Sequence, residues 1–569
     1  MLKLNNDEEE NNNHSIKIEV LVVNPERRSY ERTLRRKYSK KDVGQYFDVI
    51  NEIKLISWED VLFESIVSNH NFSSLTDADI LNEQFNDLKT IKIIKGDIER
   101  TRVQESIYMT SFKDYVYQII IYYINKYNIP YKQGLNEIAG PFVLLKYKLN
   151  ISLDRIYKLF VCFIDKFLTN YFHENDFFSL KSTFCLINLL LRYHDPKLFH
   201  LFEHCIVIPD LYATSWIMTL FSNKCSLTAI YHLWDKLILF NDNLFTIFFI
   251  VALLILNREK CINSDSSIIL SMLSQMEINE IDEINTILNL ANEIRDKTPD
   301  SFYLLANKLD IFNYNSKNLQ IFYEKYLPDK MMALPMFSTE LFCLTYKNIK
   351  GCPDENCQNF LKNEKCDNLS KCIFCRNRQL KKKIAYIIID LRIFKNDKNE
   401  EKNILSSDTS PGFLPKTLRI TEEELNDENY PKNILNEYKK EKENYHFIII
   451  TSETYYFEQY EKEFYKDSSR SSNKRGVYYK KTRELDEQKV NDKFKNKNTK
   501  EYFLLKEYDN FKKLIEEMNI DGFKYVSYAY SGYKEIHDCA IKYNIDLLEH
   551  GEKCFLCKGE QKNNFFKFW

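Results

Sequence analysis

Apolar residues recur every three or four positions along most of the chain as far as Leu309, the spacing that places them on one face of an α-helix. The clearest segment is Ser111–Tyr127, and in the earlier segment 52–69 the side chains of Leu55 and Trp58 share a face. Strand-like alternation is rare in this part of the sequence. The pattern alone predicts an all-α domain over residues 41–330.

The pattern changes in the second half of the chain, where three β-branched runs appear at Lys381–Phe394, Asn444–Ser452 and Lys524–Gly532. Such runs are typical of buried parallel strands. Helical periods separate them, and alternating strands and helices favour an α/β domain with a parallel sheet. We predict this domain over residues 379–550, interrupted by a basic, polar insertion at 465–500 that has few apolar anchors and need not fold.

Three further segments complete the predicted domain organisation. Residues 1–40 are predicted to be a disordered, basic lead-in, residues 331–378 a cysteine-rich connector, and residues 551–569 a tail with a Cys-x-x-Cys motif. The polar N-terminus lacks the apolar core of a secretory signal peptide, so we expect a cytoplasmic protein.

Composition narrows the classes of function. The 569 residues carry a net charge of −2, so nucleic acid is not the expected partner. Aromatic residues make up 14%, which argues against a mostly disordered chain. The strongest candidate for a membrane span, Leu244–Leu256, is too short to cross a bilayer comfortably and is predicted to be a buried core helix.

Candidate chemistry lies at the two ends of the predicted helix Ser111–Tyr127. Asp97 and Arg100 precede it, and a Tyr-x-Gln-Gly turn containing Gln133 follows it. An arginine and an amide brought together by a helical hairpin suit charge stabilisation and water positioning in phosphoryl transfer. Taken alone, an arginine three residues after an aspartate is more often a surface ion pair.

The order of three motifs decides between these interpretations. The motif I-x-x-D-x-x-R-T is followed by Y-x-Q-G and then by a tryptophan-rich segment that contains Trp216, Trp234 and Asp235. Together they resemble the TBC domain of Rab GTPase-activating proteins. The resemblance implies that Arg100 is an arginine finger and that Gln133 orients the attacking water. GTP and Mg²⁺ would belong to the Rab partner, so no cofactor of the chain's own is implied.

The remaining motif residues receive supporting roles. Asp97 is expected to orient Arg100 or cap a helix, and Gly134 to permit a tight turn that aims the amide outward. Tyr131 and the two motif tryptophans are assigned to packing. Asp235 is expected to hold a helix end or a neighbouring loop.

The second domain has a resemblance of its own. The segments IIIDLR, GFLPKTLRI and YVSYAYSGYKEIH are similar to the rhodanese pattern, with Ser531-Gly532 in place of a double glycine. A rhodanese needs a thiolate in the loop after the second predicted strand, but Glu453-Thr454-Tyr455 stands there. We therefore predict an inactive rhodanese-like domain that serves as a binding module.

A TBC domain followed by an inactive rhodanese domain resembles the TBC–rhodanese subfamily, which implies vesicle traffic between endosomes and the Golgi. The expected protein is not itself an enzyme but a Rab activator, peripheral on Golgi or endosomal membranes through its partners. The alternative is a non-catalytic tether that binds a Rab, a golgin or a vesicle-coat protein. Some relatives have lost the finger residues, whereas this chain keeps both.

Paired cysteines raise the question of structural zinc. Cys352 and Cys357 lie close to the pair Cys372/Cys375, and a short loop would close a four-cysteine site. As an alternative, Cys372 and Cys375 would combine with the distant pair Cys554/Cys557. Free thiols remain the third interpretation.

Overall fold

A computed structural model describes most of the helical region and the second domain. It describes residues 52–64, 72, 74–106, 109–309, 311–312, 331–345, 384–393, 410–453, 500–542 and 545–560. The predicted lead-in 1–40 and the predicted insertion 465–500, except for residue 500, therefore lie outside the described residues.

Helices account for most of the described residues between 52 and 309. They are α1 (Glu52–Glu64), α2 (Asp77–Leu81), α3 (Leu88–Ile98), α4 (Val103–Ser106), α5 (Phe112–Tyr127), α6 (Leu135–Leu149), α7 (Leu153–Phe167), α8 (Thr169–His173), α9 (Phe178–His194), α10 (Pro196–His204), α11 (Pro209–Met218), α12 (Leu227–Phe240), α13 (Phe245–Leu256), α14 (Arg258–Ile262), α15 (Ser266–Gln275), α16 (Ile281–Lys297) and α17 (Ser301–Leu309). A 3₁₀ turn at Ser222–Lys224 precedes α12.

The predicted core helix is α13. Every residue of 245–254 is buried, and α9 and α16 pack against it. A helix that is apolar all round needs cover on all sides, and the neighbouring helices supply it. No helix among the described residues combines the length and apolar character needed to cross a bilayer.

Aromatic rings fill the centre of the bundle. The Phe142 ring of α6 stacks on Trp234 of α12 with centroids 5.4 Å apart, and Phe163 of α7 lies 4.6 Å from the same indole. The Trp234 Nε1–H donates to the Leu220 carbonyl oxygen at 3.0 Å. The tryptophan assigned to packing therefore anchors both the core and the turn that follows α11.

Helix α6 contains a proline that ties it to a neighbouring turn. Pro141 has no N–H, so the carbonyl oxygen of Glu137 loses its ordinary helical donor. The Ser222 hydroxyl donates to that oxygen at 2.5 Å, and Tyr231 donates to the Pro141 carbonyl at 2.7 Å. The helix break is compensated by side chains that fix the 3₁₀ turn beside α6.

The second domain is built on a five-stranded parallel sheet with the order β1-β6-β5-β2-β4. Its strands are β1 (Leu334–Met336), β2 (Ala385–Asp390), β4 (Thr417–Arg419), β5 (Tyr445–Ile450) and β6 (Val526–Ala529), and β3 (Pro411–Phe413) pairs antiparallel with β7 (Leu548–His550). The associated helices are α18 (Ser338–Thr345), α19 (Glu422–Leu425), α20 (Lys432–Tyr438), α21 (Lys500–Asp521), α22 (Gly532–Lys542) and α23 (Phe555–Glu560). The three predicted strands correspond to β2, β5 and β6.

Both faces of this sheet are covered. In β5, Phe447 and Ile449 pack into a cluster with residues of α21, whereas Ile448 and Ile450 pack into a second cluster with α18 and α22. Alternate residues of a strand point to opposite faces, so a strand covered on both sides must be apolar throughout. This explains the continuous run that identified the strand in the sequence.

The structure differs from the predicted domain boundaries in two places. Strand β1 lies in the segment predicted to be a connector, yet it pairs with β6 and extends the sheet. The segment 551–560, predicted to be part of a tail, carries α23 and returns to the domain. Neither segment has a long apolar run, because a three-residue strand and a six-residue helix give little periodicity.

The α/β domain packs directly on the helical domain. The Tyr525 amide donates to the Tyr193 carbonyl of α9 at 2.7 Å, and the Tyr193 ring contacts the rings of His446 and Tyr525 edge to face. The Glu340 carboxylate of α18 accepts from the amides of Asp300 and Ser301 at the start of α17. A helix of one domain is thus capped by a carboxylate of the other.

Candidate functional site

The candidate arginine lies in the turn that follows α3. Its side chain is 72% exposed, and its Nη2 donates to Asp97 Oδ1 at 2.7 Å. Asp97 is buried, with 6% of its side chain exposed. The buried Asp97 carboxylate therefore accepts a hydrogen bond from one end of the Arg100 guanidinium, and the rest of the guanidinium faces solvent.

Asp97 also connects Arg100 to the glutamine turn. The Tyr131 hydroxyl lies 2.9 Å from Asp97 Oδ2 and 3.2 Å from Asn136 Oδ1. Burial, and next the negative charge of Asp97, raise the pKa of Tyr131 well above its usual range, so the hydroxyl remains a donor at neutral pH. Tyr131, assigned to packing from the sequence, is thus a polar link between the two motifs.

Asn136 extends this network into the start of α6. Its Oδ1 accepts from the Gly134 amide at 3.1 Å, and its Nδ2 donates to Thr101 Oγ1 at 2.8 Å. Thr101 Oγ1 in turn donates to the Asp97 carbonyl. The two turns are therefore connected twice, through Tyr131 and through Asn136. These two connections fix the relative positions of the arginine turn and the glutamine turn. Sequence analysis gave no role to Asn136, two positions after the Y-x-Q-G motif, or to Thr101, the last residue of the first motif.

The glutamine turn depends on the glycine that follows Gln133. Gly134 has φ +115, and a Cβ there would lie 3.2 Å from the Met218 carbonyl oxygen at the end of α11. Both the positive φ and the close approach favour glycine. Gln133 itself is exposed, as the predicted turn requires.

Lys132 holds the same turn from a third direction. Its Nζ donates to the carbonyl oxygens of Tyr171 and Glu174, and it lies 4.2 Å from the centroid of the Phe177 ring. Burial lowers the pKa of Lys132 to about 8. With Lys132 turned inward, the neighbouring Gln133 is left on the outer side of the turn.

A second arginine in the same segment has the opposite role. Arg102, with φ +44, has only 7% of its side chain exposed and pairs with Glu105 at 3.1 Å. It also donates to the carbonyl oxygens of Cys225, at 2.9 Å, and Ser222. Arg102 fixes the 3₁₀ turn to the helical hairpin, whereas Arg100 faces outward.

The later motif residues Trp216 and Asp235 lie in the core, as Trp234 does. Trp216 is buried and stacks on Phe221 with centroids 5.8 Å apart. Asp235 accepts from the Trp58 indole at 3.1 Å and lies 3.7 Å from the Lys54 ammonium. Asp235 therefore attaches α1 to the bundle. Among the described hydrogen bonds, none joins Trp216 or Asp235 to Arg100.

Residues 65–262 match the family model of the Rab-GTPase-TBC domain. This region is a TBC domain. The human "TBC domain-containing protein kinase-like protein" is 33% identical over 116 residues, which is 20% of this chain and 13% of that protein. The Dictyostelium discoideum protein of the same name is 26% identical over 172 residues, 30% of this chain and 16% of the relative. The chain thus matches less than a fifth of the length of these relatives.

Two solved structures are also similar to the chain. The Ypt/Rab-GAP domain of Gyp1p covers 47% of this chain and 86% of its own, with 17% identity and a TM-score of 0.31. The Chlamydomonas flagellar RabGAP TBC domain covers 48% and 97%, with 14% identity and a TM-score of 0.34.

The α/β domain places a buried carboxylate at the loop after β5. Glu507 of α21 accepts from the amides of Ile393 and Ser452, at 2.8 and 2.7 Å, and from the Ser452 hydroxyl at 2.8 Å. Burial raises the pKa of Glu507 to about 7. On the other side, a Cβ at Gly532 would lie 2.7 Å from the Ser452 carbonyl oxygen. The start of the loop is thus held by α21 and by the N-terminus of α22.

The predicted metal ligands fall into two groups. Cys352, Cys357, Cys372 and Cys375 lie outside the described residues, so their zinc site stays a prediction. Among the described residues, Cys554 and Cys557 lie beside two histidines, His537 and His550, with all four candidate ligand atoms within 4.8 Å of one another. The histidines were missed, although His550 precedes Cys554 by only four positions.

Proposed function

We propose that the TBC domain stimulates GTP hydrolysis by a Rab GTPase. The observation that carries the proposal is the connection of Arg100 to the Gln133 turn through Asp97 and Tyr131. An exposed arginine that is already oriented requires little reorganisation when it meets a nucleotide in the partner's site. Arg100 would neutralise charge on the transferring phosphoryl group, and Gln133 would orient the attacking water.

Single-turnover hydrolysis across a panel of Rab proteins loaded with GTP and Mg²⁺ tests this proposal. Removing an arginine finger costs roughly 10³–10⁵ in rate, so Arg100→Ala should lose nearly all stimulation. Lys92→Ala is a matched control, because Lys92 is an exposed cation on α3. Stimulation that survives in Arg100→Ala would remove the finger role.

A non-catalytic tether is the competing function. It would bind Rab loaded with GTP, or a golgin or coat protein, without changing the rate of hydrolysis. Measuring Rab binding and hydrolysis with the same preparations separates the two functions, since only the activator couples binding to faster hydrolysis.

The TBC–rhodanese resemblance leads us to propose endosome-to-Golgi traffic as the setting, with the protein peripheral on those membranes. Localisation of a tagged full-length chain tests that setting.

We further propose that the α/β domain is rhodanese-like and binds a partner without transferring sulfur. The proposal is supported by Glu453 after β5, where a sulfurtransferase needs a cysteine, and by the Ser452 amide, which Glu507 already occupies. Thiosulfate:cyanide assays should give no thiocyanate above a heat-inactivated control. Enzyme-dependent thiocyanate would overturn this part of the proposal.

A further inference from the structure

We propose that His537, His550, Cys554 and Cys557 bind a structural zinc ion in a closed Cys₂His₂ site. His537 lies on α22, His550 at the end of β7, Cys554 in the turn that leads into α23, and Cys557 in α23 itself. Sequence spacing pointed to the two cysteines but paired them with cysteines nearly two hundred positions away. The structure supplies two nearer ligands instead.

Four of the six distances between the ligand atoms are close to the edges of a tetrahedral site, and all six are within 4.8 Å. With Zn–N bonds of about 2.0–2.1 Å and Zn–S bonds of about 2.3 Å, tetrahedral geometry places two nitrogens about 3.3 Å apart and a nitrogen and a sulfur about 3.6 Å apart. The Nε2 atoms of His537 and His550 lie 3.2 Å apart. Cys554 Sγ and Cys557 Sγ lie 3.4 Å from His537 Nε2, and Cys557 Sγ lies 3.7 Å from His550 Nε2.

Two imidazole nitrogens and two sulfurs that converge this closely are unfavourable neighbours unless a cation binds between them. His537 is fully buried, and its Nε2 faces another imidazole nitrogen and two sulfurs. A ring nitrogen has either one proton or one lone pair, so His537 Nε2 can form a conventional hydrogen bond with only one of these three atoms. A zinc ion accepts all four lone pairs, and two nitrogens with two thiolates are donors that it prefers.

The fold holds each ligand in place without the metal. Strand β7 pairs with β3, which places His550 opposite Pro411, and the Gly551 amide donates to the Ser410 carbonyl at 3.0 Å. The Cys554 amide then donates to the Gly551 carbonyl, forming the turn that brings both sulfurs back toward α22. Asp538 Oδ1 lies 3.4 Å from His537 Nδ1, on the side of the ring away from the cluster, as carboxylates beside zinc-bound histidines do.

The site would fasten residues 548–560 to α22. The N-terminal amides of α22 at Tyr533 and Lys534 donate to the carbonyls of Thr451 and Ser452, so the same helix also holds the loop after β5. Four protein ligands leave no open position for substrate, which makes the role structural. The inference rests on geometry in the α/β domain and stands whether or not the TBC domain activates a Rab.

Elemental analysis of the purified full-length chain, expressed with zinc in the medium, tests the proposal. The double variant Cys554→Ser/Cys557→Ser should lose one zinc per chain relative to wild type. Cys539→Ser is the matched control, because Cys539 is a partly buried thiol on α22 outside the cluster, and it should keep the full zinc content. Unchanged zinc in the double variant would overturn the site.

A second double variant distinguishes the proposed Cys₂His₂ site from the predicted cysteine site around residue 350. Cys372→Ser/Cys375→Ser should leave the Cys₂His₂ zinc in place, whether or not it removes another ion. If this variant and Cys554→Ser/Cys557→Ser each remove the same single ion and the combined variant removes no more, the cysteine pairs share one site. That result would overturn the proposed ligand set in favour of four cysteines.

Replacing the ligand at His550 distinguishes loss of zinc binding from loss of the fold. His550 is partly exposed, so His550→Ala should disturb packing little but lose zinc, whereas His550→Cys keeps a good zinc ligand and should retain the ion. Cobalt(II) loaded in place of zinc should show tetrahedral absorption bands in wild type and His550→Cys, with added thiolate charge transfer in the latter. Identical zinc content and spectra in all three proteins would exclude His550 as a ligand.

Discussion

Each domain contains an aspartate–arginine pair, and the two pairs have opposite surroundings. In the TBC domain, Asp97 is buried but Arg100 has 72% of its side chain exposed. In the α/β domain, Asp390 and Arg392 have 3% and 2% exposed, and the pair is bidentate, with bonds of 2.8 and 2.6 Å. The Arg392 guanidinium also lies 3.5 Å from the centroid of the Tyr533 ring.

The comparison shows what an arginine can do in each setting. Arg392 uses its donors on Asp390 and on the Gly412 carbonyl, so it joins β2 to the β3–β7 sheet. Arg100 makes one contact with its carboxylate and presents the rest of the group to solvent. Burial converts the same pair of residues from a surface group available to a partner into a structural connection.

The largest difference should appear when each arginine is removed. Arg392→Ala leaves the Asp390 carboxylate buried without its cation, which should lower the free energy of unfolding by about 3–5 kcal/mol. Arg100→Ala should lower it by less than about 1 kcal/mol, because the Arg100 side chain is largely exposed and Asp97 also accepts from the Tyr131 hydroxyl. Urea denaturation of the full chain measures both.

Arg419→Ala is the control for the first variant. Arg419 is an exposed arginine that also lies over Phe413, 4.1 Å from the ring centroid. It should cost less than about 1 kcal/mol. If Arg392→Ala costs no more than Arg419→Ala, the buried pair is not the structural connection inferred here.

The contact between the two domains should weaken in acid. Burial, and secondarily Lys297 and Lys524, lower the pKa of His194 to about 3, and burial lowers the pKa of His446 to about 3. Both imidazoles contact Tyr193 at this interface. Their stabilising contribution is complete above about pH 6.5 and falls by about 1.4 kcal/mol per histidine for each pH unit below it.

Unfolding measured from pH 7 to pH 5 tests the histidine effect. Replacing both residues with glutamine should flatten the pH dependence, although it lowers stability at neutral pH. His200→Gln serves as the control because His200 is exposed on α10. An unchanged slope in the double variant would show that these histidines do not set the acid sensitivity.

Glu507 should change the pH dependence of stability in the direction opposite to the two histidines, and by a smaller amount. Its pKa is raised by burial to about 7, so its contribution is present below about pH 4.5 and is lost as pH rises toward 7. It therefore offsets part of the histidine effect between these values. Glu507→Gln should make stability fall more steeply on acidification. The same measurement series contradicts the assignment if the slope stays constant.

The smallest effect is expected at the link between the two TBC motifs. Tyr131→Phe removes the donor to Asp97 and should cost about 1 kcal/mol of stability. If the link orients Arg100, stimulated GTP hydrolysis should fall by a smaller factor than in Arg100→Ala, with Rab binding unchanged. Tyr117→Phe on α5 is the control. Equal rates in the two phenylalanine variants would mean that the link is not needed for orientation.

Local periodicity accounts for much of what was predictable. The helix Ser111–Tyr127 was predicted within one residue of α5, since apolar positions on one face report burial directly. The runs that became β2 and β5 were apolar on both faces because helices cover both sides of the sheet. The motif order identified the TBC domain, and the glycine after Gln133 has the backbone conformation that a tight turn needs.

The sequence by itself determined the helical character of the first domain, the strands β2, β5 and β6, and which residues carry TBC motifs, because these depend on neighbouring positions. Only the tertiary structure decided that Tyr131 is a polar link, that Arg102 is buried while Arg100 is exposed, and that β1 joins the sheet. It also brought His537 and His550 to Cys554 and Cys557. These outcomes depend on contacts between elements distant in sequence, where hydrogen-bond partners and burial are set by packing and leave no local period.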